Sequence, residues 1–376
     1  MATNQIAINE NNGRLRSLDA LRGFDMFWII GGATGIWHEL AKLTDSPLLN
    51  WWSNQLTHCK WEGFHFYDFI FPLFLFIAGI SFPFSWEKSL QKGISKKALY
   101  FKIIKRALIL IFLGLVFQGL LNFDFAKQRY PSVLGQIGLC WALAAIIFIN
   151  TKWVGRIIWC AGLLIFYWLL NRFVPAPDFP GAPLFSPEGS ITCYLDRTLI
   201  PGSTYSSPLY NGGFLFIPAI STALLGMFTG AFIKTTKDGL TQMKKVRYMV
   251  IAGVGLVLLG LLWSLAFPII KSMWSSSYVC FAGGLSLLLF ALFYWIIDVC
   301  GYRRWTLFFT VIGLNSITIY MAQKIINFRV SAKFIFGGMI NFFPDAWAPF
   351  LNHLTCIIVC WFFLYFLYKQ KIFIKV

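Results

Sequence analysis

Apolar residues in this chain gather into runs of roughly 17–22, and that pattern restricts the fold more than anything else in the sequence. A run of that length crosses a ~30 Å hydrocarbon core as an α-helix. Inside lipid each backbone N–H and C=O must find its partner within the segment, so repeated runs imply helices rather than an open sheet. With 58% hydrophobic residues and only 12% charged, against about 25% in ordinary soluble domains, the expected fold is all-α: a polytopic transmembrane helix bundle. Ten spans are expected, near 21–38, 64–84, 106–122, 132–150, 154–171, 213–233, 248–267, 278–298, 305–323 and 349–368. No long polar block separates them, so residues 1–376 read as a single transmembrane domain with a cytoplasmic segment at 1–17.

Loop charge orients the bundle. With the N terminus placed in the cytoplasm, inside segments hold 22 of the 32 Lys and Arg, which is the bias that keeps short loops cytoplasmic. Both termini are then cytoplasmic. The formal net charge of +17 is explained by retention of loops and does not call for a nucleic-acid partner. Residues 1–17 lack an apolar core and do not read as a secretory signal, leaving the first span to act as an uncleaved one. On the outside, residues 172–212 form a Pro-, Gly- and Ser-rich connection expected to lack helix and strand. Loops of that length commonly carry function. Six of the eight cysteines lie in or beside spans as small buried hydrophobes. Cys59 and Cys193 fall in external loops, where a bond between them is an open option.

The residues with chemistry to offer concentrate at the mouth of the second span. His58 lies in Thr57-His58-Cys59-Lys60-Trp61-Glu62-Gly63, and Asp68 follows about one turn into the apolar run. A loop histidine is by default a structural one, and an acid near Pro72 can serve to accept a freed backbone donor. A carboxylate within a span is costly without a task, however. Ten helical residues would hold the two about 15 Å apart, so they meet only if residues 58–63 fold back, which Gly63 permits. The four histidines show no spacing that argues for zinc, and no metal is expected. Asp19 and Arg22 are three apart and can pair at the cytoplasmic mouth of the first span, or offer Arg22 to phosphate groups. Lys271, Trp274 and Ser275 enter the eighth span from outside, either as ordinary anchors or as sugar contacts. Asn315 is a polar group in mid-span that needs a partner.

These pieces, in this order, resemble the heparan-α-glucosaminide N-acetyltransferase family and its bacterial members. The resemblance rests on Arg14-Leu15-Arg16-Ser17-Leu18-Asp19-Ala20-Leu21-Arg22-Gly23 and on His58-x-x-Trp61-x-Gly63 followed by Asp68-x-x-Phe71-Pro72. It continues in Tyr194-Leu195-Asp196-Arg197, Lys271-x-x-Trp274-Ser275-x-Ser277-Tyr278-Val279, Asn315-Ser316 with Tyr320, and the tail Lys369-Gln370-Lys371-Ile372-Phe373. It implies a multi-pass acetyltransferase of the cell membrane, possessing a homodimeric partner surface and using acetyl-CoA as donor to the amine of a glucosamine-type sugar. His58 and Asp68 are then catalytic, with His58 a general base or an acetyl acceptor. Asp19, Arg22 and Asn315 fall to the cofactor, and Trp61, Lys271, Trp274 and Ser275 to the sugar. Departures from the family pattern at Ala33, Gln136, Asn211 and Gln323 point to a different acceptor or to lost activity. Two rival readings stay open here: an O-acetyltransferase of surface polysaccharide, and a proton-coupled transporter of small solutes.

Overall fold

The computed structural model describes residues 15–30, 33–202, 209–210, 212–236 and 238–374. Within them the chain is helical, with no β-strand and only isolated bridges. In chain order come α1 (Arg16–Ile29), α2 (Ala33–Thr44), α3 (Pro47–Gln55), α4 (Ile70–Gln91) and α5 (Lys96–Phe117). Next are α6 (Val133–Asn150), α7 (Trp153–Phe173), α8 (Ile191–Leu199), α9 (Phe216–Lys234) and α10 (Gln242–Ser264). The last are α11 (Ser276–Tyr294), α12 (Thr306–Leu314), α13 (Ser316–Ile325), α14 (Phe328–Ile340) and α15 (Ala348–Lys369). Many begin where a polar side chain satisfies a free N–H of the first turn. Ser95 accepts from Ala98 N, Ser132 from Gly135 N, Thr241 from Lys244 N, and Asn327 from Val330 N.

Seven helical stretches among the described residues are long and apolar enough to cross a membrane: Phe66–Gln91, Val133–Asn150, Trp153–Phe173, Phe216–Lys234, Gln242–Ser264, Ser276–Val299 and Asp345–Lys369. Only 17% of the apolar window of α7 and 22% of that of α10 are buried within the protein. Faces carrying Ile158, Phe166, Leu258 and Leu262 therefore lie open, an arrangement suited to lipid and costly in water. The remaining expected spans differ in form. The ninth is two helices, α12 and α13, bent by 68° at Asn315. The first falls into α1 and α2, separated at Gly31 and Gly32, which lie outside the described residues. The third is α5, whose first turns hold Lys96, Lys97, Lys102, Lys105 and Arg106.

The chain divides into two compact units. One comprises the described residues of Met1–Cys59, His65–Ile70 and Leu292–Lys375; the other comprises Lys60–Phe64 and Phe71–Ala291. In the first unit α1 packs along α12 at very short range. A Cβ at Gly23 would run into the carbonyl of Phe309, and one at Gly313 into the carbonyl of Asp19. Small residues at such a crossing let backbones approach where dispersion must hold helices together in lipid. Trp28, Leu56 and Ile70 form a core beside this, with Trp52, Phe66 and Tyr67 packed on it.

In the second unit Tyr167, Cys193, Phe267, Ile270 and Met273 form a core that also receives Trp61 and Phe185. The connection 172–212, expected to lie outside, contains α8, contrary to the expectation of no helix there. Ser190 caps it by accepting from Cys193 N. Asp196 accepts from the N–H groups of Gly212, Gly213 and Phe214 at 2.6, 3.0 and 2.8 Å. Its neighbour Arg197 forks onto Asp178 and also donates to the carbonyls of Pro187, Glu188 and Leu209. One turn of helix thus clips the whole connection, and such long-range pairs leave no periodic mark in the sequence.

Candidate active site

Gly63 has φ of 118°, a conformation available to glycine at little cost. Its N–H donates to Ile269 O at 2.9 Å, and Glu62 bridges to Ile270 within the same unit. The chain then enters a single 3-10 turn, Phe66–Phe69, ahead of α4. Asp68 is the third residue of that turn, reciprocally capped with His65. The required fold-back is present, and it brings His58 Nδ1 to 2.8 Å from Asp68 Oδ1.

Asp68 is almost completely buried, while the His58 side chain is 45% exposed. Oδ2 of Asp68 accepts from the N–H groups of Cys59 at 3.2 Å and His65 at 3.1 Å. Three donors thus surround one buried carboxylate just ahead of α4. A carboxylate oxygen facing Nδ1 keeps the ring proton of a neutral His58 on that nitrogen. The imidazole rests on the Tyr67 ring, centroids 4.8 Å apart, and Gln55 Oε1 secures the turn by accepting from Phe66 N. Tyr67, Gln55 and the Cys59 N–H were not singled out in the sequence. Their role comes from the fold-back, and only the adjacency of Tyr67 to Asp68 could have suggested it. The same turn gathers ligand atoms of Cys59, His65 and Asp68 within 4.8 Å of one another. That grouping could hold one cation, although the Asp68 oxygens are already engaged by three donors. Cys59 and Cys193 are both free thiols.

Asp19, Arg22 and Asn315 also lie in the first unit. Arg22 Nη1 is 3.5 Å from Asp19 Oδ1. Asn315 occupies the bend after α12, 1% exposed; its Oδ1 accepts from Thr318 while its Nδ2 is buried with no partner among the described residues. The indole N–H of Trp28, on α1, is likewise buried and unpartnered. Both are donors in a protein interior where such groups normally find an acceptor.

Trp61, Lys271, Trp274 and Ser275 belong to the second unit. Trp61 donates to Phe185 O at 2.7 Å and sets its ring 5.3 Å from Tyr210. Trp274 is 1% exposed, donates to Thr222 Oγ1 at 3.2 Å and adopts φ of 55°. Ser275 is fully buried, with its hydroxyl accepting from Ile270 N and contacting Ser277 Oγ. Lys271 is half-buried in the turn that Trp274 N closes onto its carbonyl. Of the departures, Ala33 is buried at the start of α2, Gln136 donates to Gly212 O, and Gln323 donates to Ile319 O of its own helix. Asn211 lies outside the described residues.

A family model described as heparan-alpha-glucosaminide N-acetyltransferase, catalytic, matches residues 14–260. The chain belongs to that family. It is 26% identical to the heparan-alpha-glucosaminide N-acetyltransferase of Mus musculus and 27% identical to that of Homo sapiens, each match covering 96% of this chain. The chain spans 60% of the length of those two relatives. Within this N-acetyltransferase family match fall His58, Asp68 and the Asp196 clip; α11–α15, with Asn315, lie beyond it.

Proposed function

We propose that the chain is a membrane acetyltransferase that moves acetyl from cytosolic acetyl-CoA to the amine of a glucosamine-type sugar on the opposite face. The observation that carries this reading is the clamp on His58: Nδ1 is held by a buried carboxylate, while the side chain stays 45% exposed. An imidazole oriented by a carboxylate and within reach of solvent is the equipment of a general base. Its task would be to take a proton from the sugar's nitrogen as that nitrogen attacks the thioester carbonyl. The new C–N bond forms, the C–S bond breaks, and the CoA sulfur leaves as thiolate to be protonated by solvent.

The family membership supports this assignment, since the mouse and human relatives are named for N-acetyl transfer to a glucosaminide. Arg22 and Asp19 would meet the polar end of the donor, with guanidinium suited to phosphate. Asn315 Nδ2 and Trp28 Nε1, buried donors without partners, suit the carbonyls of the pantetheine arm or of the thioester. Trp61, Lys271, Trp274 and Ser275 would shape the sugar site. The positive φ of Trp274 supports that role, because strain in a bulky residue gathers at functional sites. Ten passes result if α5, the bent α12–α13 and the α1–α2 pair join the seven long helices. Both termini are then cytoplasmic, and residues 1–376 work as one transmembrane domain in the cell membrane, assembled as a homodimer.

The test offers acetyl-CoA with glucosamine to the purified protein in nanodiscs and identifies the product by mass spectrometry. N-acetylglucosamine should form, and His58→Ala should lower the rate about 10²–10⁴-fold. Full transfer by His58→Ala, a product acetylated only on hydroxyl, or solute flux without acetyl-CoA would each overturn the reading.

A further inference from the structure

The fold-back at Gly63 assembles a second set of side chains beside His58. Ligand atoms of Cys59, His65 and Asp68 all lie within 4.8 Å of one another. Their order along the chain carries no zinc-like spacing, and it is the Phe66–Phe69 turn that gathers them. All three belong, with His58, to the first unit.

A thiol, an imidazole and a carboxylate make a donor set suited to a borderline-soft dication such as Zn²⁺. With bonds of about 2.0–2.3 Å, a tetrahedral ion holds its ligand atoms roughly 3.3–3.6 Å apart. The set therefore has to contract by no more than about 1.5 Å to grip one. Asp68 is 1% exposed and anchored by the N–H groups of Cys59 and His65. His65 Nδ1 lies 3.1 Å from Thr57 O, a carbonyl contact of the kind that orients a ligating ring. Cys59 and His65 keep part of their surface open, which supplies an entry path and room for water as the fourth ligand. Cys59 is a free thiol and would bind as the thiolate, so the ion enters as the thiol proton leaves to the buffer, with no change of oxidation state.

The cost of binding falls on His58. Its Nδ1 is 2.8 Å from Asp68 Oδ1, on the same carboxylate that the ion would take. Of the three donors named on Asp68, two are backbone N–H groups fixed by the turn, and His58 is the one carried on a side chain able to turn away. A dication draws the charge of the carboxylate to itself and loosens its hold on the imidazole.

We propose that Cys59, His65 and Asp68 form an inhibitory site for a thiophilic divalent cation of the Zn²⁺ class, which disables His58 by capturing its carboxylate. The inhibition rests on the acetyl-transfer reading above; the binding does not.

The test titrates Co²⁺, a spectroscopic stand-in for Zn²⁺, into chelator-stripped protein in nanodiscs. One Co²⁺ per chain should bind with a thiolate-to-cobalt charge-transfer band and the strong visible bands of a tetrahedral ion, and Zn²⁺ should displace it. Cys59→Ser should remove the charge-transfer band. His65→Asn, which keeps a polar side chain at the cap, should weaken binding tenfold or more, while Cys300→Ser, at the exposed cysteine, should change neither. Added Zn²⁺ should slow acetyl transfer to glucosamine by the native protein, and chelator should restore it. Cys59→Ser should need tenfold or more Zn²⁺ for the same fractional loss, each protein being compared with its own metal-free rate. A native protein without the charge-transfer band, or a band that survives Cys59→Ser, would overturn the proposal. So would transfer undiminished with the site occupied by Zn²⁺, or inhibition that Cys59→Ser and His65→Asn leave unaltered. If the band behaves as expected but the metal-free native protein acetylates no sugar, the cation site stands and the acetyltransferase reading falls.

Discussion

Asp68 shows how much of this site depends on which atom holds a proton. Its Oδ2 faces two backbone N–H groups and its Oδ1 faces His58 Nδ1. In Asp68→Asn the amide oxygen would stay on the backbone donors, which turns the NH₂ toward His58. Nδ1 must then accept, the ring proton moves to Nε2, and the base is lost without loss of the turn. A fall in kcat of about 10–10²-fold, with a ring-nitrogen NMR pattern reporting the opposite tautomer, is the expected result; an unchanged tautomer would refute this account. Cys193 provides a second test at this scale. Burial pushes its thiol up to about 12, so hardly any reactive thiolate exists near neutrality. It should resist alkylation at pH 7–8 in the folded protein and react once the protein is denatured, as read by mass spectrometry.

Between elements, close approach and long-range clips matter more than helix propensity. The α1–α12 crossing has no room for a methyl group at Gly313. Gly313→Ala should therefore cost about 1–3 kcal/mol through overpacking, visible as a lower Tm in detergent, whereas Gly162→Ala, with open space around it, should not. The α8 clip is electrostatic. The Arg197 guanidinium holds the carboxyl of Asp178 below the usual carboxylate range. A depressed folded value means the clip contributes fully above the ordinary pKa of about 3.9 and is lost as pH falls through the folded one. Proteolysis of the 174–190 segment should be flat from pH 5 to 8 and rise only under stronger acid, while Asp178→Asn should be cut faster throughout. Much of this level was hidden in the sequence. The helical stretches could be read from their apolar length, but α8 could not, because what holds it is Asp196 and Arg197 reaching partners 9–19 residues away.

For the whole molecule, the topology reading makes a direct prediction. In a background lacking Cys59 and Cys300, a cysteine at the exposed Asn54 should be labelled by a membrane-impermeant thiol reagent added to intact cells. One at Asp238 should be labelled only after lysis; the reverse pattern would invert the protein and detach His58 from an external acceptor. What the sequence determined unaided is the solvent and the element type: apolar runs of membrane length must become helices because lipid offers the backbone no partners. It also marked His58 and Asp68, since an acid at a helix mouth is conspicuous in so apolar a chain. Tertiary structure alone decided that the two touch, that α12 and α13 meet at a 68° bend at Asn315, and that Arg329 and His353 share a cavity with α2 and α3. Those outcomes depend on a left-handed turn at Gly63 and on contacts between segments up to about 300 residues apart. Periodicity along the chain records which face of a helix is apolar, not which distant side chain will meet it.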